Sequence, residues 1–169
     1  MDVMSAIMER RSVRAFTDKA VTDAQVEQIL RAAMNAPSAG NAQPWEFVVI
    51  RDKDTLTKVT QINEYAAFAP SAPVAILACG NLSLEKFKGS WVQDVSAAIE
   101  NMLLAIPGMG LGAVWTGIYP MEERVLAFQS LLKTPDNVIP LGLIVVGYAE
   151  TMPQPVDRFK PERIHREVW

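Results

Sequence analysis

The sequence predicts a single α+β domain rich in helix, and three observations carry this prediction. Helical stripes of apolar residues are interspersed with short apolar runs of strand type along the 169 residues. No internal repeat or low-complexity segment divides the chain, whose length suits one domain with a sizeable core. Half of the residues are apolar and 21% are charged, as in globular proteins. We therefore expect one domain over residues 1–169.

The N-terminal part of the chain predicts two helices with recognisable ends. Asp2 has the character of an N-cap, and apolar residues at helical spacing then predict a short helix that ends near Arg10. Thr22 and Gln25 have the spacing of a capping box, which predicts that a second helix begins after Thr22. The apolar stripe of this helix continues until Pro37 terminates it.

Four apolar runs bounded by turn residues predict strands, and we expect the first two to be buried. The runs are Glu46–Arg51, Pro73–Gly80, Leu111–Tyr119 and Val138–Tyr148. A helical stripe of Leu56, Val59 and Ile62 separates the first two runs.

The longest helical pattern runs from Val95 to Ile106 and is apolar on more than one face, which indicates burial on several sides. Gly108 and Gly110 follow this helix and precede a strand. A dinucleotide fingerprint has the opposite order, so we interpret both glycines as left-handed residues that end the helix. Pro120 is expected to open another helix that continues to about Leu132.

Composition excludes several classes of function. A net charge of -3 argues against a nucleic-acid partner, and no apolar run reaches the roughly 20 residues that a membrane span needs. One histidine, His165, and one cysteine, Cys79, leave no set of ligands for a Cys/His metal site and no histidine suitably placed for a catalytic triad. We interpret Cys79 as a core thiol. The lone cysteine and an N-terminus without signal-peptide order favour a cytoplasmic location.

Two segments carry candidate binding chemistry. Arg10, Arg11 and Arg14 lie within five residues, together with the Ser12 hydroxyl, and form either an anion site or a solvated basic helix end. Residues 36–44, here called the neutral loop, contain no charge. Prolines fix the backbone, and amide and hydroxyl groups suit an uncharged, planar, polar ligand. The alternative is a turn whose side chains satisfy their own backbone.

Five motifs, spread in order over nearly the whole chain, resemble the FMN-dependent nitroreductase family in its short single-domain form. They read RRSVRAF, PSAGNAQPW, DVSAAIENMLLA with GMGLGAVWTG, PLGLIVVGY and DRFKPERIHREVW. The resemblance implies a central, mostly antiparallel sheet flanked by helices, in a domain-entwined homodimer that binds one FMN at each end of its interface. The residues themselves predict an extended C-terminal arm over residues 150–169, which contain three prolines, no helical stripe and a basic cluster.

The resemblance also implies the residues that hold the cofactor. From one subunit these are Arg10, Arg11, Ser12 and Arg14, and from the other Pro37, Ser38, Asn41 and Gln43. Thr116 and Gly117 match the segment beside flavin N5. Arg158 matches the arm residue at the phosphate, with Arg163 as a rival. Gln61 and Asn63 are both candidates for the flavin O4 side.

The activity implied by the resemblance is FMN-dependent NAD(P)H oxidation. NADH or NADPH passes a hydride through flavin N5 to a small-molecule acceptor such as a nitroaromatic, quinone or enone in a ping-pong cycle, without a catalytic side chain or a metal. Two alternatives stay open: an enzyme of the same fold that remodels its own flavin, and a flavin-binding module without turnover. Trp115 and Phe68 are candidates for the pocket lining or the core. Pro107 is expected to shift the turn after the central helix.

Overall fold

The computed structural model describes residues 1–169 and contains one four-stranded sheet and five α-helices. The helices are α1 (Val3–Glu9), α2 (Asp23–Met34), α3 (Lys53–Ile62), α4 (Trp91–Gly108) and α5 (Glu122–Leu132). The strands are β1 (Trp45–Ile50), β2 (Val74–Asn81), β3 (Gly112–Gly117) and β4 (Val138–Gly147). The predicted α+β class is confirmed. None of the helices combines the length and the apolar composition needed to cross a membrane.

The sheet has the strand order β1-β2-β4-β3, and every neighbouring pair is antiparallel. The central strands β2 and β4 are buried along almost their whole length. Strand β1 lies at an edge, and only its end residues, Trp45 and Ile50, are buried. The prediction that β1 is a buried strand was therefore wrong, because an apolar, β-branched run does not reveal whether its strand is central or at an edge.

Helices cover both faces of the sheet and create two cores. Ile76 and Ile144 point to the face on which α2 and α4 pack. Leu77 and Leu143, their neighbours along the strands, point to the opposite face, where α3 and α5 pack. Alternation of side chains along a strand produces this division, and apolar residues on both faces explain why β2 and β4 read as continuous apolar runs.

The predicted helix starts are confirmed by their hydrogen bonds. An oxygen of the Asp2 carboxylate accepts from the Ser5 amide at 3.1 Å at the start of α1. At the start of α2, the Thr22 hydroxyl accepts from the Gln25 amide, and the Gln25 side chain accepts from the Thr22 amide. Both helices thus satisfy amide groups that have no partner inside the helix.

The turn after α4 differs from the predicted one. Helix α4 continues through Pro107 to Gly108, so Gly108 is helical and the prediction that it is left-handed was wrong. Gly110 has a φ of 72° and is left-handed, as predicted. A proline in the last turn of a helix still adopts helical φ, which is why α4 includes it. Helix α5 begins at Glu122 rather than at Pro120.

The last twenty residues, 150–169, are here called the C-terminal segment. They form neither α-helix nor strand, contain one short 3₁₀ turn at Pro161–Arg163, and are all exposed. The Glu150 amide donates to the Ala15 carbonyl at 3.1 Å. Further along, Arg11 donates to the Gln154 and Val156 carbonyls at 3.0 and 3.1 Å.

Candidate functional site

A cavity of about 230 Å³ lies at the end of β3 and is here called the β3 cavity. It is lined by Arg14, Tyr65, Val114, Trp115, Thr116, Gly117, Ile118, Tyr119, Pro120, Met121 and Arg124. Three of the predicted site residues, Arg14, Thr116 and Gly117, therefore meet here. The cavity is rimmed by the segment that leaves β3 and by the first turn of α5, so its shape depends on where β3 ends.

The backbone at the end of β3 is accessible from the cavity. No heavy atom outside its chain neighbours lies within 4 Å of the position that a Cβ on Gly117 would occupy, so a planar group has room to approach. The Thr116 side chain is buried instead, and its hydroxyl donates to the Leu143 carbonyl at 3.3 Å. Thr116 therefore contributes its backbone, rather than its hydroxyl, to the cavity.

Asn63 fixes the orientation of this backbone. Its side-chain amide donates to the Gly117 carbonyl at 3.2 Å, and its side-chain oxygen accepts from the Tyr65 amide at 3.1 Å. Asn63 is completely buried, whereas the other sequence candidate, Gln61, is exposed. A buried amide with both ends hydrogen-bonded acts as a brace between two walls of the cavity.

The charge in the β3 cavity is positive. Arg14 and Arg124 are its only charged residues, and neither takes part in the three ion pairs of the chain. Arg124 lies over the Tyr65 ring, with 5.3 Å from the guanidinium carbon to the ring centroid, and donates to the Gly117 carbonyl at 3.5 Å. Sequence reasoning missed Arg124 and Tyr65 because neither residue belongs to any of the five motifs.

Aromatic rings form the walls of the same cavity. Trp115 lines it and lies over Gly142, whose missing side chain leaves room for the indole. Tyr119 contacts Trp91 edge-on, with 5.0 Å between ring centroids. Phe68, the other aromatic candidate, packs against the core beside Phe16 and does not line the cavity. The structure thus separates the two aromatic candidates into a wall residue and a core residue.

The other predicted arginines lie in a second groove, here called the arginine groove. It is lined by Ile7, Met8, Arg10, Arg11, Val156, Asp157, Arg158 and Phe159. Arg10 approaches Glu100 at 3.7 Å, and Arg11 donates to four backbone carbonyls, two of them in the C-terminal segment. Arg158 lies beside them, whereas Arg163 lies in the 3₁₀ turn. Arg10 and Arg14 therefore line different cavities in the single chain.

Ser12 connects the two arginine regions through its backbone. It forms an isolated parallel bridge with Ala113, and the Val13 amide donates to the Ala113 carbonyl at 2.9 Å. The bridge anchors the segment between Arg11 and Arg14 beside β3. The position of Arg14 in the β3 cavity follows from this attachment.

The neutral loop lines neither cavity and has a constrained backbone. Gly40, Asn41 and Gln43 have φ values of 59°, 53° and 50°, a region that non-glycine residues seldom adopt. The Ser38 hydroxyl accepts from the Gln43 amide at 3.0 Å, and the Asn41 side-chain oxygen accepts from the Gln43 side chain at 2.9 Å. Much of the loop's polar chemistry thus stabilises its own conformation, while Pro37 is exposed.

Two residues outside the loop hold it in place, and sequence reasoning did not identify either. The Asp94 carboxylate accepts from the Ala39 amide at 2.9 Å, and the Lys86 ammonium donates to the Gly40 carbonyl at 2.6 Å. Asp94 is buried in the first turn of α4. Strained loop conformations persist where surrounding contacts enforce them, which is the role of these two side chains.

Cys79 belongs to the core rather than to a site. It is completely buried, and burial raises the pKa of its thiol to about 12, with a smaller contribution from Glu46. The interpretation as a core thiol is confirmed, because a thiol with that pKa is a poor nucleophile at neutral pH. No group of three or more His, Cys, Asp or Glu side chains is arranged to hold a metal ion.

Comparison with known proteins gives a consistent picture over the full chain. The model of the Nitroreductase family matches residues 7–77 and 63–148. A protein of Methanothermobacter thermautotrophicus, whose name proposes an NADH dehydrogenase or NAD(P)H nitroreductase, is 47% identical over all of this chain and 88% of its own length. The FMN reductase [NAD(P)H] of Bacillus subtilis is 26% identical over 99% of this chain and 74% of its own.

Solved structures agree in fold. A protein of Clostridium acetobutylicum, proposed to be an NADH oxidase, superposes with a TM-score of 0.93 at 41% identity and covers 97% of this chain and 99% of its own. A protein of Desulfovibrio desulfuricans, proposed to be a nitroreductase and solved in complex with FMN, superposes with a TM-score of 0.86 at 32% identity. That comparison covers all of this chain and 98% of the other.

Proposed function

The chain belongs to the nitroreductase family, and from that premise we propose that it is an FMN-dependent NAD(P)H oxidoreductase that reduces a nitroaromatic, quinone or enone acceptor. One observation carries the proposal. The β3 cavity combines aromatic walls, open backbone at Gly117 and two unpaired arginines, and no acidic or nucleophilic side chain lines it apart from the buried Thr116 hydroxyl. Such a cavity suits a planar group that brings its own chemistry.

FMN fits the chemistry of this site. Its ring system is planar and carries polar atoms along one edge, which matches the aromatic walls and the open backbone of Gly117. Its phosphate is anionic, which matches the cations of the arginine groove. The printed names of two relatives, an FMN reductase and a protein solved with FMN, support the same cofactor.

Each part of the site has a proposed task. When bound, FMN supplies the hydride chemistry that links NADH or NADPH to the acceptor. The Thr116 and Gly117 backbone would border the N5 edge of the ring, and Asn63 holds that backbone through the Gly117 carbonyl. Arg14 would place positive charge beside the ring, where it would favour the anionic reduced cofactor. No side chain of this chain is proposed to act as a catalytic acid or base.

We propose that the complete site requires a homodimer of the single domain 1–169. Pro37, Ser38, Asn41 and Gln43 line neither cavity of their own chain, so the neutral loop is assigned to the site of the second copy. Arg10, Arg11 and Ser12 remain with the first copy. The phosphate is completed by Arg158 or Arg163, of which Arg158 already lies beside Arg10 and Arg11.

The visible absorption spectrum of the purified protein, before and after acid precipitation, tests the cofactor. We expect flavin bands that pass intact into the supernatant. A colourless protein that also fails to bind added FMN contradicts the proposal. Oxidation of NADH or NADPH with a nitroaromatic or quinone acceptor then tests the reaction. Oxygen-dependent loss of the flavin itself indicates a flavin-remodelling enzyme, and flavin reduction no faster than the background indicates a binding module without turnover.

Loss of charge at the arginines tests the assignment of the cofactor site. The double variant Arg10→Ala with Arg14→Ala is expected to lose its FMN during gel filtration, because it removes positive charge from both the arginine groove and the β3 cavity, and charge-assisted hydrogen bonds contribute about 1.5–3 kcal/mol each. Arg31→Ala is the control, since Arg31 is exposed on α2 and pairs only with Glu27. Equal flavin content in the double variant and the control contradicts the assignment.

A further inference from the structure

We infer that Arg124 makes this enzyme selective for acceptors that carry a negative charge. The inference rests on the proposed function, because it concerns which acceptor enters the β3 cavity. The family resemblance assigned no role to Arg124, and its place in the cavity was found only from the structure.

Arg124 lies where an acceptor would bind. The Arg124 guanidinium lies 3.5 Å from the Gly117 carbonyl, on the backbone that we assign to the N5 edge. With FMN bound, the acceptor would have to bind over the same Gly117 backbone to reach the hydride that the cofactor supplies. A charged substituent on a small aromatic acceptor bound over the Gly117 backbone would be within reach of Arg124, which would make this residue a contact for the acceptor.

The positive charge of Arg124 is not neutralised within the cavity. Arg124 has no carboxylate partner, and no acidic side chain lines the cavity, although the chain as a whole carries a net charge of -3. Its long hydrogen bond to one carbonyl and its contact with the Tyr65 ring leave other guanidinium donors free. An unpaired cation in a partly enclosed, acid-free cavity attracts anions and repels cations.

The alternative role for Arg124 is only to position the Gly117 backbone. Asn63 already donates to the same carbonyl at the shorter distance of 3.2 Å and is completely buried, so the brace does not depend on Arg124. A positioning role would affect all acceptors equally, whereas a contact with substrate charge affects only charged ones. This difference makes the two roles separable by experiment.

The test compares 4-nitrobenzoate with its neutral methyl ester as acceptors, using kcat/KM for each. Arg124→Gln is expected to lower the ratio of the acid to the ester by about fivefold, because a partly exposed charge pair contributes less than a buried one. Arg124→Lys keeps the charge and should retain most of the ratio. Arg31→Gln, which removes one exposed arginine outside the cavity, should leave it unchanged.

Salt provides a second readout on the same enzymes. Raising ionic strength should lower the ratio for the unaltered enzyme and have little effect on Arg124→Gln, since screening acts on the charge that the variant lacks. If Arg124→Gln lowers kcat/KM by the same factor for the acid and the ester, their ratio is unchanged and the inference is overturned in favour of positioning. If kcat/KM changes for neither acceptor, the inference is also overturned.

Failure of the proposed function gives a different result. A protein that oxidises no NADH or NADPH with either acceptor contradicts the proposed activity, and the charge preference is then measured by calorimetric binding of benzoate and methyl benzoate. Preferential binding of benzoate that Arg124→Gln abolishes supports the site. Equal affinity of the unaltered protein for both compounds overturns it.

Discussion

Strand β4 and the C-terminal segment both contain large apolar residues, but their environments are opposite. In β4, Ile144 is completely buried between neighbouring strands and packed helices. In the C-terminal segment, Phe159 is 71% and Trp169 98% exposed. The apolar residues of this chain therefore form two sets: a buried set that packs within the subunit, and an exposed set that no part of the same chain covers.

Helix α1 belongs with the C-terminal segment in this comparison. Its helical stripe of Val3, Met4, Ile7 and Met8 is exposed, although the same spacing in α2 marks buried positions. Ile7 and Met8 also line the arginine groove together with Phe159 of the C-terminal segment. The two exposed regions are therefore adjacent, which supports our proposal that a second copy of the chain covers them.

Removal of residues 151–169 gives the largest expected effect. Because the C-terminal segment is exposed and its hydrogen bonds to the rest of the chain come only from Arg11 and the Glu150 amide, its removal should leave the sheet and its two cores assembled. In our proposal the segment completes the dimer interface and the phosphate site, so its removal should raise the dimer dissociation constant more than about 100-fold. Analytical ultracentrifugation and flavin content measure the two effects. An unaltered dimer with full flavin content would show that the segment is dispensable.

Truncation of one apolar residue in each region gives the next largest effect. Ile144→Ala should lower the free energy of unfolding by about 2–5 kcal/mol, because it leaves a cavity in a packed core. Trp169→Ala removes a larger side chain from an exposed position and should leave the stability of the isolated subunit unchanged. Urea unfolding of both variants, measured after dilution below the dimer dissociation constant, gives the stability of the single subunit.

A similar loss of stability in the two variants would contradict the division into two sets. The comparison is informative only if both variants unfold in a single transition, which far-UV circular dichroism and tryptophan fluorescence check together. At protein concentrations above the dimer dissociation constant, Trp169→Ala should weaken the association of the two subunits. Ile144→Ala should instead act mainly on the stability of the folded subunit.

The sequence predicted the buried set better than the exposed one. The stripes of α2, α3 and α4 and the runs of β2 and β4 indicated their elements because periodicity is a local property. Local signals could not show that β1 is an edge strand or that the stripe of α1 has no cover, since both depend on which surfaces remain after packing. The conformation of Gly108 was predicted wrongly for a similar reason, because the same sequence is compatible with a helix that is two residues longer than the predicted pattern.

The candidate site divides in the same way. Motif order drew attention to Arg14, Thr116 and Gly117, which the structure brings to one cavity. Arg124 reaches that cavity from a helix that carries no motif. Asp94 hydrogen-bonds the neutral loop from 55 residues away along the chain. The contact of Asp94 joins segments so distant in sequence that no spacing reveals it, and the separation of seven positions between Gly117 and Arg124 does not show that the two return to one cavity.

The core thiol tests how dry the buried set is. Burial raises the pKa of Cys79 to about 12, from an ordinary value of 9.0, so the folded state keeps its proton at a pH where the unfolded chain loses it. The resulting stabilisation is fully present below pH 9 and is lost as pH rises toward 12. Cys79→Ala should therefore show a shallower decline of stability between pH 9 and 11 than the unaltered protein.

Reaction with a thiol reagent gives an independent check on Cys79. At pH 8 the thiolate fraction of the folded protein should be about 10³-fold smaller than that of the unfolded chain, so labelling should follow unfolding. Rapid labelling without denaturant would show that the thiol is accessible and that this part of the core opens.

The smallest expected effect concerns the two helix caps, one on each side of the comparison. Helix α2 packs on α4, and its capping box satisfies two amides, so Thr22→Ala should lower the free energy of unfolding by about 1 kcal/mol. Helix α1 exposes most of its stripe, so Asp2→Ala should increase hydrogen exchange in its first turn without a measurable change in global unfolding. A global loss in Asp2→Ala as large as that in Thr22→Ala would place α1 within the cooperative core. The apolar stripe of α1 would then stabilise the fold of the single subunit rather than an interface with a second copy.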